Sequence, residues 1–185
     1  YFIYKHYFNY MNLVKNFLII FFFCFCFCFK TVENLDIERF MGKWYVIAAI
    51  PTFVEKNCEN AYDIYTLNED GTVDIKYFAD KNGSPFKISQ KGTIIDTINN
   101  SKWKITFPDY WIPFFSSPYE VIILDNDNYD YMVVGYPGNS YGWIMARSTM
   151  LDNEIFENIM TDLVDNFGYE REEFEIMKHT KATSN

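Results

Sequence analysis

Short alternations of apolar and polar residues fill the stretch from 43 to 147, and each alternation stops at a turn. Val73, Ile75 and Tyr77 interleave with Thr72, Asp74 and Lys76, and Trp103, Ile105 and Phe107 interleave with Lys102, Lys104 and Thr106. A two-residue period sets one parity on a buried face and the other toward solvent. The breaks are Asn68-Glu-Asp-Gly71, Asp80-Lys-Asn-Gly83, Asn99-Asn-Ser101, Asp125-Asn-Asp-Asn128 and Pro137-Gly-Asn-Ser140, all rich in residues that accept tight or left-handed backbone. Eight strands at about 13 residues per strand and turn fit the stretch, the spacing of a barrel or sandwich. Past Arg147 the period changes. Leu151, Ile155, Ile159, Leu163 and Phe167 recur every fourth residue, with Phe156, Met160 and Val164 beside them. This predicts an amphipathic helix of about four turns, capped by Asp152, stopped by Gly168 and docked outside the strands. Phe174 to Met177 is expected as a final short strand.

Parity carried from the clearest strands to the others gives an inward set. It holds Val46, Ala48 and Ile50 on the first strand, Tyr65 on the second, Val73, Ile75 and Tyr77 on the third, and Ile88 on the fourth. Trp103, Ile105 and Phe107 follow on the fifth, Tyr119 and Val121 on the sixth, Tyr131 and Val133 on the seventh, and Tyr141, Trp143 and Met145 on the eighth. Eight antiparallel strands closed on themselves leave an interior that side chains fill or that holds one small ligand. Both outcomes stay open on the pattern alone.

Composition narrows the chemistry. The 185 residues carry a net charge of −9 and no Lys/Arg cluster, so a nucleic-acid partner is not expected. Residues 1–30 hold three Lys and no acid, and the rest, with 13 basic and 25 acidic residues, stands at −12. Met11 opens a basic start, and Phe17 to Phe29 is an uncharged apolar run, short for a membrane span and of the length of a signal-peptide core. Residues 1–30 are thus expected to be an extension with a signal peptide, or alternatively an anchor through residues 11–29. The chain would be exported or held at a membrane, leaving a domain over residues 34–180 and a tail from 181. Cys24, Cys26 and Cys28 fall in that leader, so Cys58 is the one thiol of the domain. His179 is the one histidine beyond the leader and is expected to be a solvated tail residue. A Ser-His-Asp triad, a zinc site and a phosphate-cradling loop all lack parts. No metal, cofactor or catalysis is expected. Asn82-Gly-Ser84 and Asn99-Asn-Ser101 would accept glycans only in a eukaryotic secretory pathway.

Gly42-Lys43-Trp44-Tyr45 before the first strand, Tyr129-Asp130-Tyr131 at the seventh, and Arg147 ending the eighth ahead of a helix resemble the three signature regions of the lipocalins. The run from Phe40 to Ala48, Tyr65 to Gly71, Tyr119 to Asp125 and Trp143 to Arg147 match in register, so the resemblance covers about residues 34–180. Ile50-Pro-Thr-Phe53 resembles the first loop of the branch that holds bacterial outer-membrane lipocalins, plant temperature-induced lipocalins and apolipoprotein D. The resemblance implies an all-β, up-and-down calyx with one outer helix. It also implies a cavity for small hydrophobic ligands such as fatty acids or lysophospholipids, a mouth loop at Pro51 to Cys58 with Phe53 and Val54 at the entrance, and a role in membrane lipid maintenance under stress. Trp44 and Arg147 are expected to stack at the floor, with Gly42 allowing the entry turn to approach.

Tyr65, Tyr119, Tyr131 and Tyr141 would either orient a ligand head group or satisfy one another. Two positions depart from the resemblance. Asp63 should face inward by parity with Tyr65, where an isolated carboxylate is costly. It is expected at a wet rim, forming with Glu55 and Glu59 an acidic mouth that favours neutral or cationic amphiphiles. Cys58 lacks the C-terminal cysteine that pairs with its counterpart in the resembling branch. A spare buried thiol, an intermolecular disulfide and a reactive rim thiol remain as readings, the last implying a thiol-dependent enzyme. A barrel filled by its own aromatics and used as an interaction module is the other alternative.

Overall fold

The alternating stretch folds as eight strands in sequence order: β1 (Gly42–Ile50), β2 (Cys58–Leu67), β3 (Val73–Lys81), β4 (Ser84–Ile94), β5 (Lys102–Thr106), β6 (Ser117–Leu124), β7 (Tyr131–Gly135) and β8 (Gly142–Ala146). Each pairs antiparallel with its neighbour, and β1 pairs with both β8 and β2, which closes the sheet into a barrel. The computed structural model describes residues 30–109 and 116–180. The expected leader, with Met11 and its three cysteines, and the tail from 181 lie outside the described residues.

The expected turns occur where their chemistry allows them. Gly71, Gly83 and Gly138 take positive φ, as do Asn82, Asn100 and Asn139. The four-residue helix α1 (Ile37–Phe40) precedes β1, with the Asp36 carboxylate accepting from the amides of Glu38 at 3.0 Å and Arg39 at 3.2 Å. It delivers Phe40, fully buried, to the barrel floor, where its ring lies 5.4 Å from that of Trp103 and 5.5 Å from those of Trp44 and Tyr65.

The predicted helix is α2 (Asn153–Phe167), and its caps are those the sequence indicates. The Asp152 carboxylate accepts from the Glu154 and Ile155 amides, and Gly168 adopts the left-handed conformation at φ 73°. Its stripe of Ile159, Met160 and Leu163 packs on Ile47, Ala48, Ile122, Val133, Ile144 and Ala146, the outer face of four strands. A second, separate core lies on the inner face of the barrel.

Two bulges decide which side chains belong to which core. The β1–β8 register shifts between Val46 and Ala48, and the β6–β7 register shifts between Val121 and Ile123. An extra residue in one strand inverts parity beyond it. Val46 therefore faces in, Ile47 and Ala48 face the helix, and Ala49 faces in again.

The upper half of β1 leaves β2. Those strands pair only from Gly42↔Tyr65 to Tyr45↔Tyr62, and farther up β9 (Glu175–Ile176) takes the free edge opposite Ala48 and Ala49. The segment after β9 continues the lacing. The Met177 amide donates to Ile47 O at 2.9 Å, the Asn60 amide to Lys178 O at 2.8 Å, and the Thr180 amide to Asn60 Oδ1 at 2.7 Å. His179 is drawn in with them, its Nε2 2.8 Å from Val46 O and its ring edge-on to Tyr45. It is half-buried rather than a solvated tail residue, because the final strand pins its neighbours to the barrel wall.

Candidate functional site

At the floor, the Arg147 guanidinium lies 3.7 Å from the centroid of the Trp44 ring. Trp44 is fully buried and its indole N–H donates to Phe40 O at 2.8 Å. Arg147 meets backbone oxygens instead of a carboxylate: Tyr129 O at 3.2 Å, Lys43 O at 2.9 Å, Arg39 O at 2.7 Å and Phe40 O at 3.3 Å. Burial lowers its pKa to about 10. Gly42, at φ 97°, passes so close that a Cβ there would sit 3.4 Å from the Arg147 Nη1. The tyrosine of the seventh-strand signature contributes too. Tyr129, at φ 61°, turns its hydroxyl to accept from the Asp36 amide at 2.9 Å. These groups tie the entry helix, β1 and β8 into one floor.

Above that floor the barrel interior is apolar and aromatic. Val46, Tyr65, Val73, Ile75, Tyr77, Ile88, Trp103, Ile105, Val121 and Met145 all lie in the inner core, with Phe107, Tyr119 and Trp143 packed against it. Trp103 and Tyr119 stack at 5.0 Å, and the hydroxyls of Tyr65 and Tyr119 satisfy each other at 2.9 Å. Gly92 lets the inner wall close here, since a Cβ on it would meet the Trp103 ring at 3.1 Å. Tyr141, half-buried at the rim, stacks on Trp143 at 6.3 Å.

Four residues expected inside lie outside. Ala48 and Ile50 follow the β1 bulge onto the helix side, and Tyr131 and Val133 follow the inverted parity of β7, whose inward residues are Met132 and Val134. Phe53 stands at the mouth but is 81% exposed and lines nothing. Ala49, Ala61 and Ala79 also face inward, and a small side chain adds nothing to an alternation of bulky residues.

Two polar groups sit in this interior. Asp63 lies mid-strand, opposite Trp44 on one side and Tyr77 on the other, and is 8% exposed. It is therefore within the barrel and away from the wet rim. Among the described residues no group completes a hydrogen bond to the buried Asp63 Oδ1, while the buried Tyr77 hydroxyl turns toward the Cys58 thiol. Burial, reinforced by the charge of Glu55, raises Asp63 to about 8. Burial also raises Tyr77, Tyr119 and Tyr65 well above the usual phenol value.

Glu55 itself belongs to the mouth. Its carboxylate accepts from the Thr52 amide at 2.9 Å and hydroxyl at 2.6 Å, and from the Trp143 indole N–H at 2.9 Å. The loop is pinned again by Lys81, which donates to Val54 O at 2.6 Å. Val54 reaches the inner core beside Cys58. Glu59 takes no part in an acidic mouth, because its carboxylate pairs with Lys178 at 2.9 Å on the outside. Cys58 is half-buried, its thiol 4.0 Å from Val54 O. Desolvation is the main cause that raises its pKa, with Glu55 a minor contributor. The described residues hold no cluster of His, Cys, Asp or Glu suited to a metal ion.

The family model for a lipocalin-like domain matches residues 35–179. The chain is 32% identical to temperature-induced lipocalin-1 of Arabidopsis thaliana over 148 residues, 76% of this chain and 77% of that protein. It is 27% identical to the outer membrane lipoprotein Blc of Escherichia coli K12 over 131 residues, 70% of this chain and 71% of that one. Insecticyanin of the tobacco hornworm Manduca sexta shares the fold at a TM-score of 0.68 and 17% identity, covering 85% of this chain and 87% of that one.

Proposed function

Because the chain belongs to the lipocalin family, whose barrels bind small hydrophobic ligands, we propose that it binds and carries single-chain lipids, fatty acids or lysophospholipids among them, without catalysis. Ligand-facing walls are proposed at Val46, Tyr65, Val73, Ile75, Tyr77, Ile88, Trp103, Ile105, Phe107, Tyr119, Val121, Trp143 and Met145. Of the calyx interior and a barrel filled by its own side chains, the first is supported by one observation above all. Asp63 Oδ1 is buried in the interior and unpartnered among the described residues, whereas a self-filled core would be expected to satisfy such a group internally.

Burying about 14 methylenes at roughly 0.8 kcal/mol each gives an upper limit of about 11 kcal/mol. Association costs about 4 kcal/mol or more, so micromolar affinity needs no dedicated polar contact. The half-buried Cys58, with its thiol pKa raised, lacks the activated thiolate that an enzyme would use. A role in membrane lipid maintenance under stress is proposed from the branch. Export through the apolar run at 17–29, or anchoring by it, is proposed from its composition.

A fatty-acid probe whose emission depends on environment, titrated while the fluorescence of Trp103 and Trp143 is followed, tests the carrier. Saturable binding displaced by lipids supports it, and probe that never saturates sinks it in favour of a filled barrel. N-terminal sequencing of protein from its source decides between removal and retention of the leader.

A further inference from the structure

Across the inner wall, Trp44, Asp63, Tyr77 and Ile88 stand side by side in consecutive register on β1, β2, β3 and β4. The row carries one carboxyl and one phenol; Asp63 Oδ1 meets no hydrogen-bond partner among the described residues, and the Tyr77 hydroxyl, turned toward the Cys58 thiol, keeps its oxygen as an acceptor. On the mouth side the Glu55 carboxylate acts on both. The basic groups that come near are committed elsewhere. Lys81 donates to Val54 O and faces the Phe86 ring at 4.9 Å, and Arg147 is spread over four floor carbonyls. The middle of the barrel thus offers acceptor oxygen and negative potential, walled by the rings of Tyr65, Tyr77, Trp103 and Tyr119.

We propose that this row selects amphiphiles with a protonated amine head, Asp63 accepting one ammonium hydrogen and Tyr77 accepting a second. The proposal rests on the carrier reading and names its ligand class. An orphan carboxyl oxygen needs a donor hydrogen, so a primary or secondary ammonium satisfies it and a quaternary ammonium does not. The surrounding aromatic faces offset part of the desolvation of the cation.

The pH response follows from the same groups. Asp63 is held near 8 by burial and by Glu55; Tyr65, Tyr77 and Tyr119 face it and stay neutral across the physiological range, and Cys58 acts on Tyr77 from the rim. Ammonium binding favours ionised Asp63 and expels its proton, so amine affinity rises between pH 6 and 8. Affinity for a carboxylate falls over the same interval.

The test uses the full chain and four probes of equal chain length: dodecylamine, dodecyltrimethylammonium, dodecanol and laurate, each by calorimetry below its micellar concentration at pH 6 and pH 8. At pH 8 dodecylamine is expected to bind at least tenfold more tightly than dodecanol or the quaternary salt. Asp63→Asn, checked for native circular dichroism, is expected to lower amine affinity about tenfold while dodecanol stays within twofold. Tyr77→Phe is expected to cost the amine about threefold and supplies a second variant should Asp63→Asn not fold. Equal affinities for the four probes, or an Asp63→Asn protein with unchanged amine preference, overturn the proposal and leave the carrier intact. Failure of all four to bind overturns the carrier reading and this one together.

Discussion

The Arg147 guanidinium covers the Trp44 ring at 3.7 Å and hands its N–H groups to four backbone carbonyls from three segments. The pair therefore acts as a rivet through the floor. Arg147→Ala loses a partly desolvated cation–π contact of about 2 kcal/mol and the hydrogen bonds to the part-buried Tyr129 and Phe40 carbonyls, for a total loss of about 3 kcal/mol. Arg147→Lys recovers little of this, since an ammonium cannot span the same carbonyls. Urea denaturation of the three proteins measures both losses.

Gly42→Ala tests the approach beneath that rivet. At φ 97° an alanine is strained whatever the space, and its Cβ would also press Arg147 at 3.4 Å. A destabilisation of about 1–3 kcal/mol is expected. A thermal midpoint equal to that of the parent would show that the entry turn has another conformation open to it.

Asp63 should leave its mark on stability. The folded protein holds its pKa at about 8 against an ordinary 3.8, so the folded state binds the extra proton. Stability from this group is fully present below about pH 4, falls as pH rises toward 8 and levels off above. The loss amounts to several kcal/mol at most, about 1.4 kcal/mol for each pH unit of the interval. Glu120, also raised by burial, titrates in the same sense, so the readout is the difference between parent and Asp63→Asn. Parallel stability-versus-pH curves for the two would contradict the buried, unpaired state of Asp63.

Trp143→Phe keeps an aromatic ring at the rim and deletes the 2.9 Å hydrogen bond to Glu55. A hydrogen bond to a charged group contributes about 1.5–3 kcal/mol. The mouth loop at 51–57 should then exchange its amide hydrogens at least tenfold faster, while the floor amides of β1 keep their protection. Hydrogen exchange followed by mass spectrometry separates the two regions.

For Cys58, alkylation by iodoacetamide is expected to be slow at neutral pH and to accelerate only above the range of a free thiol, because burial disfavours the thiolate. A midpoint below that of glutathione would revive the reactive-thiol reading.

Much of this architecture was legible in the sequence, and the exceptions share a cause. The helix was readable to its caps, because Asp152 and Gly168 act locally. Inward positions are readable on β3, β5 and β8, because the extra residues of the β2–β3 and β1–β8 pairs lie on the partner strand and leave their own alternation unbroken. Ala48, Ile50, Tyr131 and Val133 depart from the alternation because the register shifts within β1–β8 and β6–β7. A bulge is a property of two paired strands and leaves no single-residue signal in either. Asp63 was recognisable as inward-facing, but its depth depends on barrel register, which local spacing does not encode. The position of Glu59 outside the mouth depends on Lys178, a partner more than a hundred residues away that local sequence does not reveal.

The departure of β1 from β2 above Tyr45 gives the barrel a side seam, laced by β9 and by the contacts of Asn60 with Lys178 and Thr180. In that design the last described residues form a clasp: the upper edge of β1 is held by residues 175–180 and not by its sequence neighbour β2, so the wall there closes only once the C-terminal end of the domain is in place.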